Sequence, residues 1–305
     1  MALPHQIKSI GEYHSFMDLP QPKHPLVSVV KFEDIKPKRS VERPKSILNG
    51  FYSIAVKKTF NAKMKYGQQS YDFTEGILAF IAPNQIISIV IDESQSIEHS
   101  GWLLIFHPDF LWNTPLAKKI KQYDFFGYDL NEALHLSEKE EAILTAIIQN
   151  INQEYNSAID KFSQDVIIAQ LELLLTYSER FYQRQFITRK ITNHTILDKL
   201  ENLLTVYFNQ NNLPEKGLPT VQYISAELNI SPNYLSRLLK TLTGRSTQQF
   251  IQDKLIDLAK EKLSTTDLSV NEIAYEMGFE HPQSFSKMFK TKTNLTPIQF
   301  RNSFN

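Results

Sequence analysis

The fold is decided by two related stretches, Asn233-Tyr-Leu-Ser-Arg-Leu-Leu-Lys-Thr-Leu-Thr-Gly244 and Gly278-Phe-Glu-His-Pro-Gln-Ser-Phe-Ser-Lys-Met-Phe-Lys290. Around them, residues 221–251 match residues 270–301 at an offset of 49, which becomes 50 after one inserted residue. Apolar residues recur at matched places: Ile224, Leu228, Ile230, Leu235, Leu238 and Leu239 in the first repeat, and Ile273, Met277, Phe279, Phe285, Met288 and Phe289 in the second. This internal repeat predicts two helix-turn-helix units in tandem.

Each repeat carries signals that begin and end helices. Ser269 with Glu272 forms a capping box before the first helix of the second repeat, whereas the first repeat has a threonine cap alone. We expect each first helix to end where the chain needs left-handed backbone, at Asn229 and Gly278. The second helix of each repeat opens with a proline suited to a first helical position: Pro232 and Pro282.

The second helix of each repeat would bury one apolar stripe and turn a polar, basic face outward. Arginine can bond guanine at two places, asparagine and glutamine can do so with adenine, and lysine neutralises phosphate. On one helix alone, a solvated face would be the simpler interpretation. Two repeats with the same chemistry favour double-stranded DNA. The predicted DNA-binding residues are Asn233, Ser236, Arg237 and Lys240, with Gln283, Ser286, Lys287 and Lys290.

These segments, followed by Thr296-Pro297 and Phe300-Arg301, resemble the DNA-binding domain of the AraC/XylS family of bacterial transcription regulators. The resemblance covers the C-terminal third of the chain, and it makes RNA polymerase a candidate partner. Three positions depart from the family pattern: Ser225 stands for alanine, Asn294 for glycine and Lys287 for arginine. The lysine lacks the guanidinium fork, which weakens the case for base contact by the second repeat.

Upstream, residues 26–106 run in short β-rich pieces that predict a β-sandwich or small barrel. Helices are expected from the capping box at Ser137 and from Asp165 to Gln185, with a linker over Phe186–Asn193. By weaker resemblance to the same family, this half implies a cupin-like effector domain followed by dimerising helices. The candidate strands are Val27–Phe32, Phe51–Lys57, Lys63–Phe73, Ile77–Ile81, Ile86–Ile91 and Trp102–Phe106.

We therefore predict an α+β chain of two domains. Residues 1–188 would hold a cupin-like β barrel followed by helices, and residues 189–305 an all-α domain with two helix-turn-helix units. In the helix over Asp165–Gln185, apolar residues at alternating steps of four and three predict a homodimer seam, with intrachain core as the alternative. The dimer candidates are Ile167, Leu171, Leu174 and Phe181. The aromatic residues that could line an effector pocket, or belong to the core, are Phe51, Tyr71, Phe73, Phe80 and Trp102.

Composition excludes several classes of protein. The chain has no cysteine, which rules out disulfides, thiolate zinc sites and thiol catalysis. Its nine glycines form no phosphate-binding loop, and its eight histidines show no His-x-His spacing. We therefore predict no catalytic residue, no metal and no cofactor. No apolar run is long enough to cross a bilayer and no secretion signal begins the chain, so we expect a cytoplasmic protein without a membrane partner.

Net charge is zero overall but unevenly divided. Residues 1–188 carry 19 basic and 22 acidic side chains, a difference of −3, and residues 189–305 carry 14 and 11, a difference of +3. This asymmetry slightly favours nucleic acid as the partner of the C-terminal end. The leading hypothesis is a dimeric DNA-binding regulator controlled by a small effector, and not an enzyme. The alternatives are a regulator controlled by a protein partner or by abundance, and an enzyme fused to a DNA-binding domain.

Overall fold

The structure is a computed structural model that describes residues 4–35, 46–60, 63–66, 69–72, 76–88, 98–128, 132–158, 160–188, 190–209 and 212–303. The chain divides into two compact units, Met1–Gln185 and Phe186–Asn305, called here the N-terminal and C-terminal domains. The expected boundary lay three residues later, between residues 188 and 189. Strands and helices are numbered separately in chain order.

Antiparallel strands form the central sheet of the N-terminal domain. Its five strands, in spatial order, are β10 (Leu134–His135), β7 (Ile77–Ile81), β4 (Tyr52–Phe60), β9 (Glu98–Phe106) and β2 (Val27–Lys31). A second sheet has the order β1 (His5–Ile7), β3 (Ser46–Asn49) and β8 (Ile86–Ser88), and a hairpin joins β5 (Lys63–Tyr66) to β6 (Gln69–Asp72). The helix α1 (Ile10–Met17) follows β1.

A hydrophobic core joins the two larger sheets. It contains Ile7 and Ile47 from the three-stranded sheet, and Val30, Leu103 and Ile105 from the five-stranded sheet. The alternation of side chains along each strand explains this arrangement, because every second residue of β2 and β9 faces the same way. The sheets therefore pack as layers around a shared apolar interior.

The expected cupin-like barrel is not what the described residues form. The five-stranded sheet retains two edge strands, β10 and β2, and pairs with neither of the other sheets. Closure of a barrel depends on pairing between strands far apart in sequence and on their stagger, and the hydrophobic alternation within a strand carries no information about either. The prediction of β-rich structure is confirmed, whereas a closed barrel is not observed.

After α1, the helices described in the N-terminal domain are α2 (Leu116–Lys119), α3 (Glu138–Asn156) and most of α4 (Ser163–Thr188). The capping box predicted for α3 is confirmed, since Ser137 and Glu140 exchange side-chain to backbone hydrogen bonds. Asp160 accepts hydrogen bonds from the backbone N–H groups of Phe162 and Ser163, where α4 begins. Short 3₁₀ turns occupy Phe32–Asp34, Pro108–Leu111, Ile120–Gln122 and Asp124–Gly127.

The predicted linker over Phe186–Asn193 is helical on both sides of residue 189. The helix α4 continues to Thr188, and α5 begins at Lys190. Polar and basic composition suggested a solvated connection, but arginine and lysine are good helix formers, and a helix already leads into the segment. The composition of this segment did not indicate its helical conformation.

The described part of the C-terminal domain is built from helices around one core. They are α5 (Lys190–Asn209), α6 (Asn212–Lys216), α7 (Val221–Leu228), α8 (Pro232–Thr243), α9 (Thr247–Thr265), α10 (Val270–Glu276), α11 (Pro282–Thr293) and α12 (Pro297–Asn302). The pairs α7–α8 and α10–α11 are the two predicted helix-turn-helix units. Leu255 and Ala259 of α9 are fully buried with residues of both units, including Ile224 and Ile273.

The sharp turns lie where the sequence predicted them. Asn229 has a φ of 55° and Gly278 a φ of 78°, both in the left-handed region. Gly278 is required for a second reason, because a Cβ there would collide with the backbone carbonyl oxygen of Leu213 in α6. The left-handed residues that end the second helix of each unit are Gly244 and Asn294.

Candidate nucleic-acid interface

The helix α8 presents the first predicted DNA-binding row. Ser231 caps it by accepting a hydrogen bond from the backbone N–H of Tyr234 at 3.1 Å, and Pro232 occupies its first turn. Leu235, Leu238 and Leu239 are fully buried, so the opposite face points away from the core. The predicted residues on that face are Asn233 and Lys240, which are exposed, and Ser236 and Arg237, which are half-buried.

Ser236 is engaged inside the domain. Its Oγ lies 3.3 Å from Oγ1 of Thr247, a buried residue in the first turn of α9. This contact links the recognition helix of the first repeat to the helix that connects the repeats. Ser236 therefore has a structural contact that its place on the polar face did not reveal.

The helix α11 presents the second row. Phe285 and Phe289 are fully buried, and the face opposite them is polar. His281 precedes the helix without a side-chain capping hydrogen bond, so Pro282 alone marks its start. The predicted residues on this face are Gln283, Lys287 and Lys290, which are exposed, and Ser286, which is half-buried. Each of the two helices thus has polar and basic side chains on the face opposite its buried apolar stripe.

The helix α9 connects the two units and is longer than the sequence suggested. It has 19 residues, against the fifteen expected between Gln249 and Leu263, and Ser246 forms a capping box with Gln249 at its start. Both its ends are fixed by polar contacts. Arg301 of α12 donates hydrogen bonds to the carbonyl oxygens of Leu263 and Leu268 at 3.1 and 2.6 Å.

Ion pairs fasten α9 to its neighbours, and the sequence patterns gave no sign of them. Lys254 pairs with Glu201 of α5 at 2.9 Å, and Lys262 with Glu276 of α10 at 2.7 Å. Asp253 pairs with Arg245 at 2.9 Å and with Lys292 of α11 at 2.8 Å. The partners lie between 8 and 53 positions apart in sequence, so the folded chain brings them together.

Aromatic contacts extend to the start of the C-terminal domain. The ring of Phe186 lies 5.1 Å from that of Tyr234, between centroids, and both side chains are buried. Phe186 belongs to the last turn of α4. The recognition helix of the first repeat is therefore packed on its inner side by the segment that begins this domain.

The five effector candidates do not meet in one pocket among the described residues. Phe51 is fully buried in the core between the sheets, where its ring meets Tyr13 at 5.5 Å. Phe80 pairs with Ile54 and packs on Phe125, on the opposite face of the five-stranded sheet. Trp102 is half-buried beneath the ammonium of Lys31, 5.2 Å from the ring centre. Phe73 and the side chain of Tyr71 lie outside the described residues.

Lys57 is a titratable residue of the N-terminal domain that the sequence patterns did not identify as a candidate. It lies on β4 two residues after Ala55, and therefore on the side of the sheet that faces the core between the sheets. Its ammonium lies 5.7 Å from the ring centre of Phe32. Burial lowers the pKa of Lys57 from its ordinary value of 10.5 to about 8.

The four predicted dimer residues, Ile167, Leu171, Leu174 and Phe181, are buried within the chain. Leu171 and Leu174 are fully inaccessible, so a second copy cannot reach them in this conformation. The structure thus places this seam in the intrachain core. A different stripe of the same helix is exposed, and it contains Val166 at 42% and Leu173 at 43%.

Within the described part of the chain, no helix combines the length and the apolar character needed to cross a membrane.

Comparison with known proteins shows similarity to a helix-turn-helix family and to transcription regulators. A family model described as a helix-turn-helix domain matches residues 224–303. Histidine kinase P4 of Formosa agariphila is 29% identical over 44% of this chain and 10% of its own length. The uncharacterized HTH-type transcriptional regulator YfiF of Bacillus subtilis is 26% identical over 62% of this chain and 57% of its own. The regulatory protein SoxS of Salmonella typhimurium is 27% identical over 27% of this chain and 76% of its own.

The chain spans less than two thirds of the length of the first two relatives. The family model matches the part of the chain that carries α8 and α11. Residues 224–303 are therefore a helix-turn-helix domain, similar to those of transcription regulators.

Proposed function

We propose that the whole chain is a sequence-specific, DNA-binding transcription regulator of the cytoplasm that reads two successive major-groove segments. The observation that carries the proposal is the pair of helices α8 and α11, each with a buried apolar stripe and an outward polar, basic row. Both rows lie in one chain and are joined by α9, so a single subunit would carry both DNA-recognition helices.

The roles of the individual residues follow from their chemistry. Asn233 and Gln283 suit adenine, and Arg237 suits guanine, because each can form two hydrogen bonds to the base edge. Lys240 and Lys290 suit phosphate, where a flexible point charge is enough. Lys287 and Ser286 complete the row on α11, and Ser236 acts through its contact with Thr247.

We further propose that the regulator is a homodimer and that α4 forms the interface through its exposed stripe. Val166 and Leu173 are seven residues apart, which places them along one side of the helix, and exposed Phe162 lies directly before its first residue. Their exposure is the observation that favours this stripe over the buried seam. Apolar side chains along one exposed helix face are a common feature of helix pairing.

The N-terminal domain would bind a small effector that changes how the protein engages DNA. Lys57 supports this part of the proposal, because its side chain is half-buried beside Phe32 and its ammonium would be stabilised by a negatively charged ligand. The alternative is a regulator without a small ligand, controlled by a protein partner or by its abundance. A thermal-shift screen of the full chain against anionic metabolites separates the two, since a specific ligand stabilises only the folded state.

The DNA proposal is tested by the geometry of the bound site. The 19 residues of α9 span about 28 Å at roughly 1.5 Å each. With the recognition helices packed at either end, a separation near one helical turn of DNA, about 34 Å, is reachable. Duplexes recovered by selection from random DNA should therefore contain two short conserved segments about one turn apart.

Insertions between the two segments provide the decisive measurement. Five added base pairs rotate one segment by about half a turn and should weaken binding of the full chain strongly, whereas ten restore the rotational phase. The control is the same insertion placed outside both segments. Selection that recovers no common sequence would contradict sequence-specific binding. Unchanged affinity after the five-pair insertion would assign recognition to α8 alone.

A further inference from the structure

One carboxylate on α9 contacts cations from both repeats. The Oδ2 atom of Asp253 lies 2.9 Å from Nη1 of Arg245. Its Oδ1 atom accepts a hydrogen bond from Nζ of Lys292 at 2.8 Å. Each oxygen therefore serves a different partner, and the side chain joins two positions that are 47 residues apart in sequence.

The two cations lie near the C-terminal end of the second helix in each repeat. Arg245 directly follows Gly244, the left-handed residue that ends α8. Lys292 lies in the last turn of α11. Asp253 thus fastens the C-terminal ends of both recognition helices to one point on the helix that connects them.

Affinity for DNA does not explain why a carboxylate stands at this position. It adds a negative charge to a domain that binds a polyanion, and it occupies two cations that could otherwise neutralise phosphate. The contacts are partly sheltered, with the side chains of Asp253 and Lys292 24% and 25% exposed. Arg245 is 56% exposed, so its guanidinium would reach solvent easily if Asp253 released it.

We propose that Asp253 is a positioning residue that fixes the separation of α8 and α11 and withholds Arg245 and Lys292 from the DNA backbone. It thereby favours correctly spaced sites at the expense of affinity for DNA in general. This inference rests on the proposed function, because it assigns a specificity role within two-segment recognition. A purely structural ion pair would stabilise the domain without altering the discrimination between DNA sequences.

The test compares full-length wild type with Asp253→Asn on three duplexes: a selected site, the same site with five inserted base pairs, and a random duplex. The substitution keeps the size of the side chain and removes its charge. Affinities are measured between 50 and 200 mM salt. The matched control is Glu201→Gln, which breaks an ion pair of similar length on α9 but leaves both recognition helices attached.

For Asp253→Asn we expect tighter binding to the random duplex and a smaller penalty for the five-pair insertion. Two released cations should steepen the dependence of log affinity on log salt by about 2, which is roughly a tenfold greater fall across that range. Glu201→Gln releases only Lys254, and should leave the insertion penalty at its wild-type value. Unchanged random-DNA affinity, or an unchanged insertion penalty, for Asp253→Asn would overturn the inference.

A second variant covers the case in which Asp253→Asn does not fold. Lys292→Gln breaks the link to α11 without releasing a cation, so it should reduce the insertion penalty while leaving random-DNA binding no tighter. An insertion penalty equal to that of wild type would also overturn the inference. The failure of the proposed function looks different, because wild type itself would then show no insertion penalty or no selected site.

Discussion

Arg237 and Lys290 carry the same charge on the two recognition helices, but their chemistry predicts different roles. Arg237→Ala should cost roughly 1 to 3 kcal/mol at the selected site and relax the preference at one base position. Lys290→Ala should weaken selected and random DNA alike and lower the salt slope by about 1. Electrophoretic mobility shifts at several salt concentrations measure both effects.

The control for these variants is Lys139→Ala, which removes an exposed positive charge from α3 in the N-terminal domain. It should change neither affinity nor specificity. If Arg237→Ala weakened both DNAs equally, the arginine would be a backbone contact and base recognition by α8 would depend on Asn233.

At the residue scale, local rules predicted the local features. The capping box at Ser269 and Glu272 and the left-handed turns at Asn229 and Gly278 depend on neighbours only a few positions away. The role of Ser236 depends on Thr247, eleven positions further, and that of Asp253 on Lys292, 39 positions further. Such contacts are set by the packing of whole helices, so no spacing rule could have indicated them.

Among the helices, α4 shows what periodicity can and cannot determine. Its apolar residues predicted a helix, and the structure has one over Ser163–Thr188. The same spacing is satisfied by two stripes, one through Leu171 and Leu174 and another through Val166 and Leu173. Which stripe is covered depends on what the rest of the domain places against it, and the sequence of one helix cannot contain that information.

The two stripes of α4 make opposite predictions. Replacing Val166 and Leu173 with glutamate should leave the chain folded but monomeric, because both side chains are about two-fifths exposed. Replacing the fully buried Leu171 with glutamate should unfold the N-terminal domain, since an unpaired charge would be buried in the core. Size-exclusion chromatography with light scattering gives the mass, and circular dichroism reports folding.

A wild-type chain that is monomeric at micromolar concentration would contradict the proposed dimer. A Val166 and Leu173 double variant that remained dimeric would place the interface elsewhere.

At the scale of the whole molecule, the order of strands followed by helices was predictable, since composition and hydrophobic period change along the chain. Whether the strands close into a barrel was not predictable, because closure depends on which edge strands pair with each other. Each domain has a core of its own: one around Phe51 and Ile105, the other around Leu255 and Ala259. We therefore expect ligands of one domain to stabilise that domain first.

DNA should raise the melting temperature of the C-terminal domain selectively. The chain has two tryptophans, Trp102 and Trp112, and both lie in the N-terminal domain. A selected duplex should therefore shift the thermal transition seen by far-ultraviolet circular dichroism and leave that seen by tryptophan fluorescence in place. At a hundred times the Kd the gain in stability is about 2.7 kcal/mol. Random DNA is the control, and equal shifts in both signals would show that the domains unfold as one.

The close approach of Leu213 to Gly278 limits how far the two repeats can be treated as modules. The first repeat turns at Asn229, a residue with a Cβ, whereas the second turns at a position where the α6 backbone leaves no room for one. A chimera that installed the first repeat's turn in the second position would place an asparagine against that carbonyl. Exchange in the other direction would meet no such obstacle at the turn, because glycine adopts the left-handed conformation readily. At this turn we therefore expect exchange between the repeats to be tolerated in one direction only, so the two copies are not interchangeable at a position that their sequences align.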